Sequence, residues 1–372
     1  MSQRPSAAFV IPRPYVDAQP CFREPIESLA AESWDIDLYS VLSPIHPAPF
    51  FGRENVRLTP IEMSRAGAAG LVARLVFHRP AYRCIITVPQ WGLHYAGIAA
   101  SLARVPLVCI SDELTPECEA VSAEQQHWKR LERRDHQRCA FTIALSERRA
   151  EFIRGENRLG PDHPIYVVPN ATPGPAIRLA SRYYQDTLQI PDDKRVLLYA
   201  GSWWWKLQFA HLVDAAEAWG SRTVLVFQGR LPEHMAEFPR HPNLRVSPTV
   251  LPASLLNYAT SSAHIGLALY DPARIGHREI GTASGKVALY LKNALPVIVS
   301  ALPSLDWVER EGCGVCVNDV GEIGGAVDRI CQNYERYVEN AKRAYTSVLD
   351  FTKRFEPVRA KLLSQGARQS AS

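Results

Sequence analysis

Ser284, Gly285 and Lys286 form the stretch of this 372-residue chain best suited to chemistry. With Gly281 they precede a run whose apolar residues, Val287, Leu289, Tyr290 and Leu291, have helical spacing, and β-prone runs at 265–270 and 296–299 flank them. Strand, loop, helix, strand is the unit of a parallel sheet. At the head of such a helix, unpaired N–H groups and the positive end of the dipole face the loop, and Lys286 adds a full charge. The arrangement suits a phosphate. A serine cap beside a solvated lysine accounts for the same residues.

Other candidates lie at other strand ends. Gly201, Ser202 and Lys206 follow the strand-like run 195–200, around three consecutive tryptophans that cannot all enter one core. Gly229 sits in the turn after 223–227, and Tyr270 ends 265–270. In the first half, His94 follows the run 84–88, with 90–94 read as loop, while Asp112 and Glu113 follow 107–110. A carboxylate at a strand's carboxyl end serves either as a general base or as a cap for the next segment. Asp35 and Asp37 have the spacing of a metal-holding DxD but open an early strand and read as exposed strand edge; Cys313 and Cys316 lack a second pair and sit in a strand-like run. No metal is expected.

These residues need a scaffold, and the composition allows one. Hydrophobic residues make up 47% and charged ones 22%, enough for large cores, and the length fits two α/β domains. The 42 basic and 38 acidic residues leave +4, which gives no field directed at nucleic acid. No apolar run reaches the roughly 20 residues of a membrane span, and the first residues lack the apolar core of a secretory signal. Eight scattered cysteines read as reduced thiols, hence a cytoplasmic location.

Along the first half, strands are expected at 7–11, 36–41, 84–88, 107–110, 140–145 and 165–168, and helices at 24–33, 64–83, 95–103, 124–137 and 147–154. The proline-rich stretch 42–60 reads as loop. The 64–83 helix is basic and amphipathic, able to rest on an anionic membrane surface or to pack on its own sheet. Lys129, Arg130, Arg133 and Arg134 read as a solvated face. After a Pro- and Gly-rich linker at 171–176 the rhythm resumes. The expected division is 1–170, 171–350, and a C-terminal helix with frayed tail, 351–372, packing back towards the first domain.

The order of elements resembles a GT-B glycosyltransferase, an α/β architecture of two Rossmann-like domains facing a central cleft, over nearly the whole chain. The resemblance is carried by 143–152 with Val168-Pro169-Asn170, by 198–202, and by Ser284-Gly285-Lys286 through Tyr290-Leu291 to Pro296-Val297-Ile298. It implies that the second domain binds a nucleotide-diphosphate sugar as donor substrate, with no cofactor, and that the first binds the acceptor. Lys286, Ser284 and Gly285 would hold the diphosphate, Gly201, Ser202 and Lys206 its other side, Tyr270 the nucleotide or sugar, and the turn at 250–253 the base. The family-4 pattern places two glutamates where this chain has Gly281 and Leu289, and Glu279 is out of register. Without them the chain is more similar to the xanthan-type glucuronosyltransferases, whose proposed base matches Asp112, with Glu113 and His94 behind it.

The leading expectation is therefore a metal-independent transferase acting on a cell-surface polysaccharide, lipopolysaccharide or lipid-linked glycan, with peripheral membrane contact through 64–83. A non-catalytic glycosyltransferase-like partner subunit and a nucleotide-sugar 2-epimerase stand as alternatives.

Overall fold

Strands built almost wholly from Ala, Val, Ile, Leu and Cys are buried on both faces, as in a parallel sheet covered by helices. The computed structural model describes residues 4–44, 46–201, 211–216, 219, 222–229 and 241–367. They form two compact units, Met1–Pro173 with Phe351–Ser372, and Gly174–Asp350.

The first unit is a seven-stranded parallel sheet. Its strands are β1 (Ser6–Ile11), β2 (Asp35–Ser40), β3 (Val56–Pro60), β4 (Cys84–Thr87), β5 (Leu107–Ser111), β6 (Phe141–Ala144) and β7 (Ile165–Val167), in the order β3-β2-β1-β4-β5-β6-β7. The order reverses between β1 and β4, and in open α/β sheets ligands gather at the carboxyl ends beside such a reversal. Helices α1 (Pro20–Ala31), α2 (Arg65–Phe77), α3 (Trp91–Ala103), α4 (Ala123–His136) and α5 (Glu147–Glu156) form the crossovers. Serines cap three of them: Ser64 and Ser146 accept N3 amides, and Ser122 forms a capping box with Gln125. Gly92 lets the head of α3 seat against β1, because a Cβ there would lie 2.7 Å from Thr87 Oγ1 and 3.3 Å from Pro12 Cδ.

Several sequence expectations are corrected here. The stretch 42–60 contains β3, a half-exposed edge strand whose proline sits at its end, where a missing donor is tolerated. Helix α1 starts at Pro20, whose fixed φ suits a first turn. Helix α2 stops at Phe77, two residues before the restricted Arg79-Pro80 step, and its apolar stripe, Ala68, Leu71 and Leu75, faces the core. Helix α3 starts at Trp91, so His94 lies in its first turn and not in a loop. Lys129 is buried, not solvated: its ammonium meets Glu132 Oε1 at 3.0 Å and Asn157 Oδ1 at 2.9 Å. Asp37 is buried too, accepting from the Tyr82 hydroxyl (2.6 Å) and Arg57 Nε (2.9 Å), so the DxD spacing belongs to a structural network.

The second unit is a six-stranded parallel sheet of β8 (Arg195–Ala200), β9 (Thr223–Gln228), β10 (Leu244–Ser247), β11 (Ile265–Ala268), β12 (Val297–Ser300) and β13 (Gly314–Val317), ordered β10-β9-β8-β11-β12-β13. Cys316 lies in β13 and Cys313 just before it; three residues apart on extended chain they face opposite sides. Burial pushes both thiols up to about 12, and all eight cysteines are free. The helix Phe351–Ala367 belongs to the first unit, burying Phe355, Val358 and Leu362 and pairing Arg359 with Glu32 at the end of α1.

The segment just after the linker is stapled to the rest of the second unit. Arg178 donates to the Tyr334 hydroxyl (2.7 Å) and the Ala263 carbonyl (2.6 Å), and Tyr334 donates to the His264 carbonyl (3.0 Å). His264 Nδ1 accepts the Val196 N–H at 3.0 Å, which requires a neutral ring. Burial, with Arg178 and Arg195 nearby, lowers its pKa to about 4. The unfolded chain therefore binds the extra proton first as pH falls, so stability is full above about 6.5 and is lost towards 4. Thermal melts between pH 6.5 and 4 should lose roughly 1–3 kcal/mol through this group, and His264→Gln should flatten that slope.

Candidate active site

Strands β8 and β11 pair only through Leu197 and Leu198, so their carboxyl ends part. The Tyr290 hydroxyl fills the gap: it accepts the Ala200 N–H (2.8 Å) and donates to the Leu267 carbonyl (3.1 Å). A side chain thus replaces a missing ladder bond in the core, where unpaired backbone groups are costly. The ring fits because residue 266 is glycine; a Cβ there would stand 2.2 Å from the ring carbons. Beyond Ala200 the chain turns at Gly201 (φ 117°), whose N–H goes to the Gln228 carbonyl at 3.0 Å. A Cβ at Gly201 would come within 3.1 Å of Lys286 Cε, so this glycine serves both the turn and the lysine.

The helix Gly285–Lys292 is capped by Ser284, whose hydroxyl accepts the Val287 N–H at 3.1 Å and also bonds the Tyr270 hydroxyl. Lys286 is half-buried, its ammonium 5.2 Å from the Tyr199 ring centre and 5.6 Å from that of Tyr270. Among the described residues no carboxylate or carbonyl pairs with it. Burial presses this ammonium towards neutrality, but Tyr199 and Tyr270 outweigh that and hold its pKa above the ordinary lysine value. Two aromatic faces stabilise a desolvated cation by about 0.5–2 kcal/mol each and leave its charge unneutralised. The Gly285 and Lys286 N–H groups find no acceptor among the described residues. A charged amine and two helix-head donors converge here, the donor set of an anion site.

The Tyr270 hydroxyl is committed to Ser284, and the residue is only 6% exposed, so its role is exerted on Lys286 and Ser284. Gly229 (φ 142°) closes β9, donating to the Ser247 carbonyl at 3.0 Å. Buried Gln228, which sequence reasoning missed, donates to the Thr249 carbonyl (2.6 Å) and so anchors the segment leading to the exposed Val250. Tyr199 was also missed; its only sequence signal is its place near a strand's carboxyl end. Ser202, Lys206 and the three tryptophans lie outside the described residues. Gly281 occupies a tight turn (φ 45°) and Glu279 is buried, with Arg278 Nε at 3.4 Å.

In the first unit, Asp112 ends the β5 edge. Arg13 Nη2 meets its Oδ2 at 2.8 Å, and Arg149 Nη1 donates to its backbone carbonyl at 2.6 Å. Oδ1 is enclosed and, among the described residues, has no hydrogen-bond partner. Burial raises the carboxyl pKa to about 6; Arg13 opposes the rise and Glu113 adds to it. Glu113 is exposed, 3.8 Å from Arg13 Nη1. Cys21, whose N–H donates to Asn170 Oδ1 (2.9 Å), sits close enough for Asp112 to raise its thiol further, after burial. The assembled sheet gathers Arg13, Cys21, Asp112, Glu113, Arg149 and Asn170. His94 joins a different set: its Nδ1 lies 2.8 Å from Asp135 Oδ2, tying α3 to α4 beside Trp128. Among the described residues no three His, Cys, Asp or Glu side chains cluster as metal ligands.

Residues 200–354 match the family model "Glucosyltransferase 3-like, C-terminal domain". Among solved structures, HepE of Anabaena, in complex with UDP and glucose, superposes with a TM-score of 0.71 at 14% identity, covering 97% of this chain and 100% of that one. Sucrose-phosphate synthase of Thermosynechococcus elongatus gives 0.70 at 16% identity over 99% and 100%. A glycosyltransferase of Rickettsia africae ESF-5 gives 0.69 at 10% over 98% and 99%. No curated protein sequence matches the chain. The two parallel sheets and these full-length likenesses define the GT-B fold. Within that architecture, the second half of the chain matches a glucosyltransferase-like C-terminal domain.

Tyr290→Phe would keep the ring and leave both the Ala200 N–H and the Leu267 carbonyl unmet. Chemical denaturation should register a loss of roughly 1–3 kcal/mol, and an unchanged midpoint would contradict the bridging role.

Proposed function

We propose that the protein transfers a sugar from a nucleotide-diphosphate donor to a hydroxyl of a cell-surface polysaccharide, lipopolysaccharide or lipid-linked glycan. The observation that carries this reading is Lys286, a cation held between two tyrosines at a capped helix head with no anion of its own among the described residues. A diphosphate would supply the missing charge. HepE, with the same fold, has been crystallised with UDP-glucose, which supports a uridine nucleotide as the first donor to try.

The chemistry follows from two charges. As the bond between the anomeric carbon and the diphosphate oxygen breaks, negative charge grows on the leaving group, where Lys286 and the Gly285 and Lys286 N–H groups stabilise it. The acceptor oxygen bonds to the anomeric carbon and its proton passes to Asp112. A carboxylate with pKa about 6 is ionised at neutral pH yet basic enough to assist. Its Oδ1, enclosed and without a hydrogen-bond partner among the described residues, would take up that hydroxyl on a small turn of the carboxylate.

The eight free thiols support a reducing compartment, and no described helix is long and apolar enough to cross a membrane. With the apolar stripe of α2 spent on the core, the outward residues include Arg65, Arg74, Phe77 and, just before the helix, Met63. This face suits a peripheral contact with an anionic bilayer, which co-sedimentation with phosphatidylglycerol vesicles would detect.

Thermal-shift measurements with UDP-, GDP-, dTDP- and ADP-sugars should give selective stabilisation by one nucleotide, abolished in Lys286→Ala. No shift with any donor would sink the reading in favour of a non-catalytic partner. Asp112→Asn should keep donor affinity and lose about 100- to 10,000-fold in turnover, and wild-type turnover should fall with an acid limb near pH 6 as the base protonates.

A further inference from the structure

We propose that Arg13 is a positioning residue for the transfer reaction: it clamps Asp112 by one carboxylate oxygen and so presents the other to the reacting hydroxyl. The inference rests on the reading of Asp112 as base and adds the residue through which that base is aimed.

Arg13 lies in the loop after β1, and Asp112 follows β5, two strands away with β4 between them. The pair therefore spans the place where the strand order reverses. Both ends are held by backbone contacts. The Arg13 N–H donates to the Ile11 carbonyl at 2.7 Å, and the Ser40 hydroxyl donates to the Arg13 carbonyl, although Ser40 belongs to β2. On the other side, Arg149 from α5 grips the Asp112 carbonyl at 2.6 Å. The guanidinium fork reaches Asp112 Oδ2 at 2.8 Å through Nη2 and Glu113 Oε2 at 3.8 Å through Nη1. A buried ion pair built only for stability would satisfy both carboxylate oxygens, since a buried acceptor without a donor is costly. Here, among the described residues, the fork leaves Oδ1 with none.

The charged and titratable groups around Asp112 are Arg13 and Tyr15 from the β1 loop, Cys21 from α1, Glu113 beside it, and Arg149 from α5. Arg149 is bound at the carbonyl, so Arg13 is the cation seated on the carboxylate itself. Without Arg13, burial and Glu113 would be opposed only by the backbone N–H groups of Asp112 and Glu113, and the carboxyl would titrate higher. Lysine in its place would keep a charge but lose the planar fork that fixes the carboxylate's orientation.

The test uses the full chain with Arg13→Met, Arg13→Lys and Asp112→Asn. Three readouts apply: UDP-glucose hydrolysis, with water in place of the acceptor; the Asp112 carboxyl titration by carbon-13 NMR, assigned by its loss in D112N; and UDP affinity by calorimetry. In R13M the carboxyl midpoint should rise by about one to two units. Hydrolysis at pH 7 should then fall by more than the roughly fourfold expected for a carboxylate moved from about 6 to about 7.5, and should stay below the wild type near pH 9, where that carboxylate is ionised again but still not oriented. R13K should titrate close to the wild type yet stay slow at every pH, the signature of lost orientation with charge retained. UDP affinity should not change in any variant. An unmoved carboxyl midpoint in R13M, or full turnover in R13K, overturns the role of Arg13. Retained hydrolysis in D112N overturns instead the assignment of Asp112 as base. If R13M does not fold, R13K and Arg13→Gln carry the same comparison.

Discussion

A phenol stands in for a backbone hydrogen bond at the centre of the second sheet, and the candidate donor site is arranged around it. Parallel strands that stayed paired to their ends would leave no room between β8 and β11. Tyr290 allows them to part without stranding the Ala200 N–H or the Leu267 carbonyl. Three consequences follow. Residue 266 must be glycine to admit the ring, the chain can turn at Gly201, and Lys286 can lie along that glycine. One hydroxyl thus ties the helix that carries the cation to the two strands that flank it.

The two candidate centres use opposite electrostatic strategies. Among the described residues Lys286 has no counterion and is steadied by aromatic faces, which lower the cost of desolvation and leave its field intact for an incoming anion. Asp112 has a counterion, but only on one side, so burial and Arg13 pull its pKa in opposite directions and leave it near neutrality. Each residue is incompletely satisfied. In a folded protein that condition is expensive, and it is the usual mark of a group whose partner is a substrate.

Other buried charged groups of the first unit are held in closed networks. Lys129, Glu132, Asn157, His136, Thr142 and His163 form a connected buried network linking α4, the end of α5 and β6, with contacts of 2.8 to 3.0 Å. Asp37 with Tyr82, and His94 with Asp135, are of the same kind. The contrast separates scaffold from site: acidic and basic side chains that look equally reactive in sequence are neutralised in one place and left open in the other.

The sequence by itself determined the α/β class, the linker, the strand–loop–helix unit around Lys286, and the serine cap at Ser284. These are local properties: apolar periodicity, turn residues and capping spacing act over a few positions and are readable there. It also placed Asp112 and Glu113 at a strand's end. It did not show that 56–60 would add an edge strand, that Lys129 and Asp37 would be buried, or that His94 would sit inside a helix and be used up by Asp135. Nor did it single out Arg13, Arg149, Tyr199 or Gln228. Those roles were decided by tertiary structure, because each depends on which distant segment supplies the partner. Arg13 and Asp112 are 99 positions apart in sequence and meet at 2.8 Å only because a parallel sheet brings the ends of β1 and β5 to the same edge.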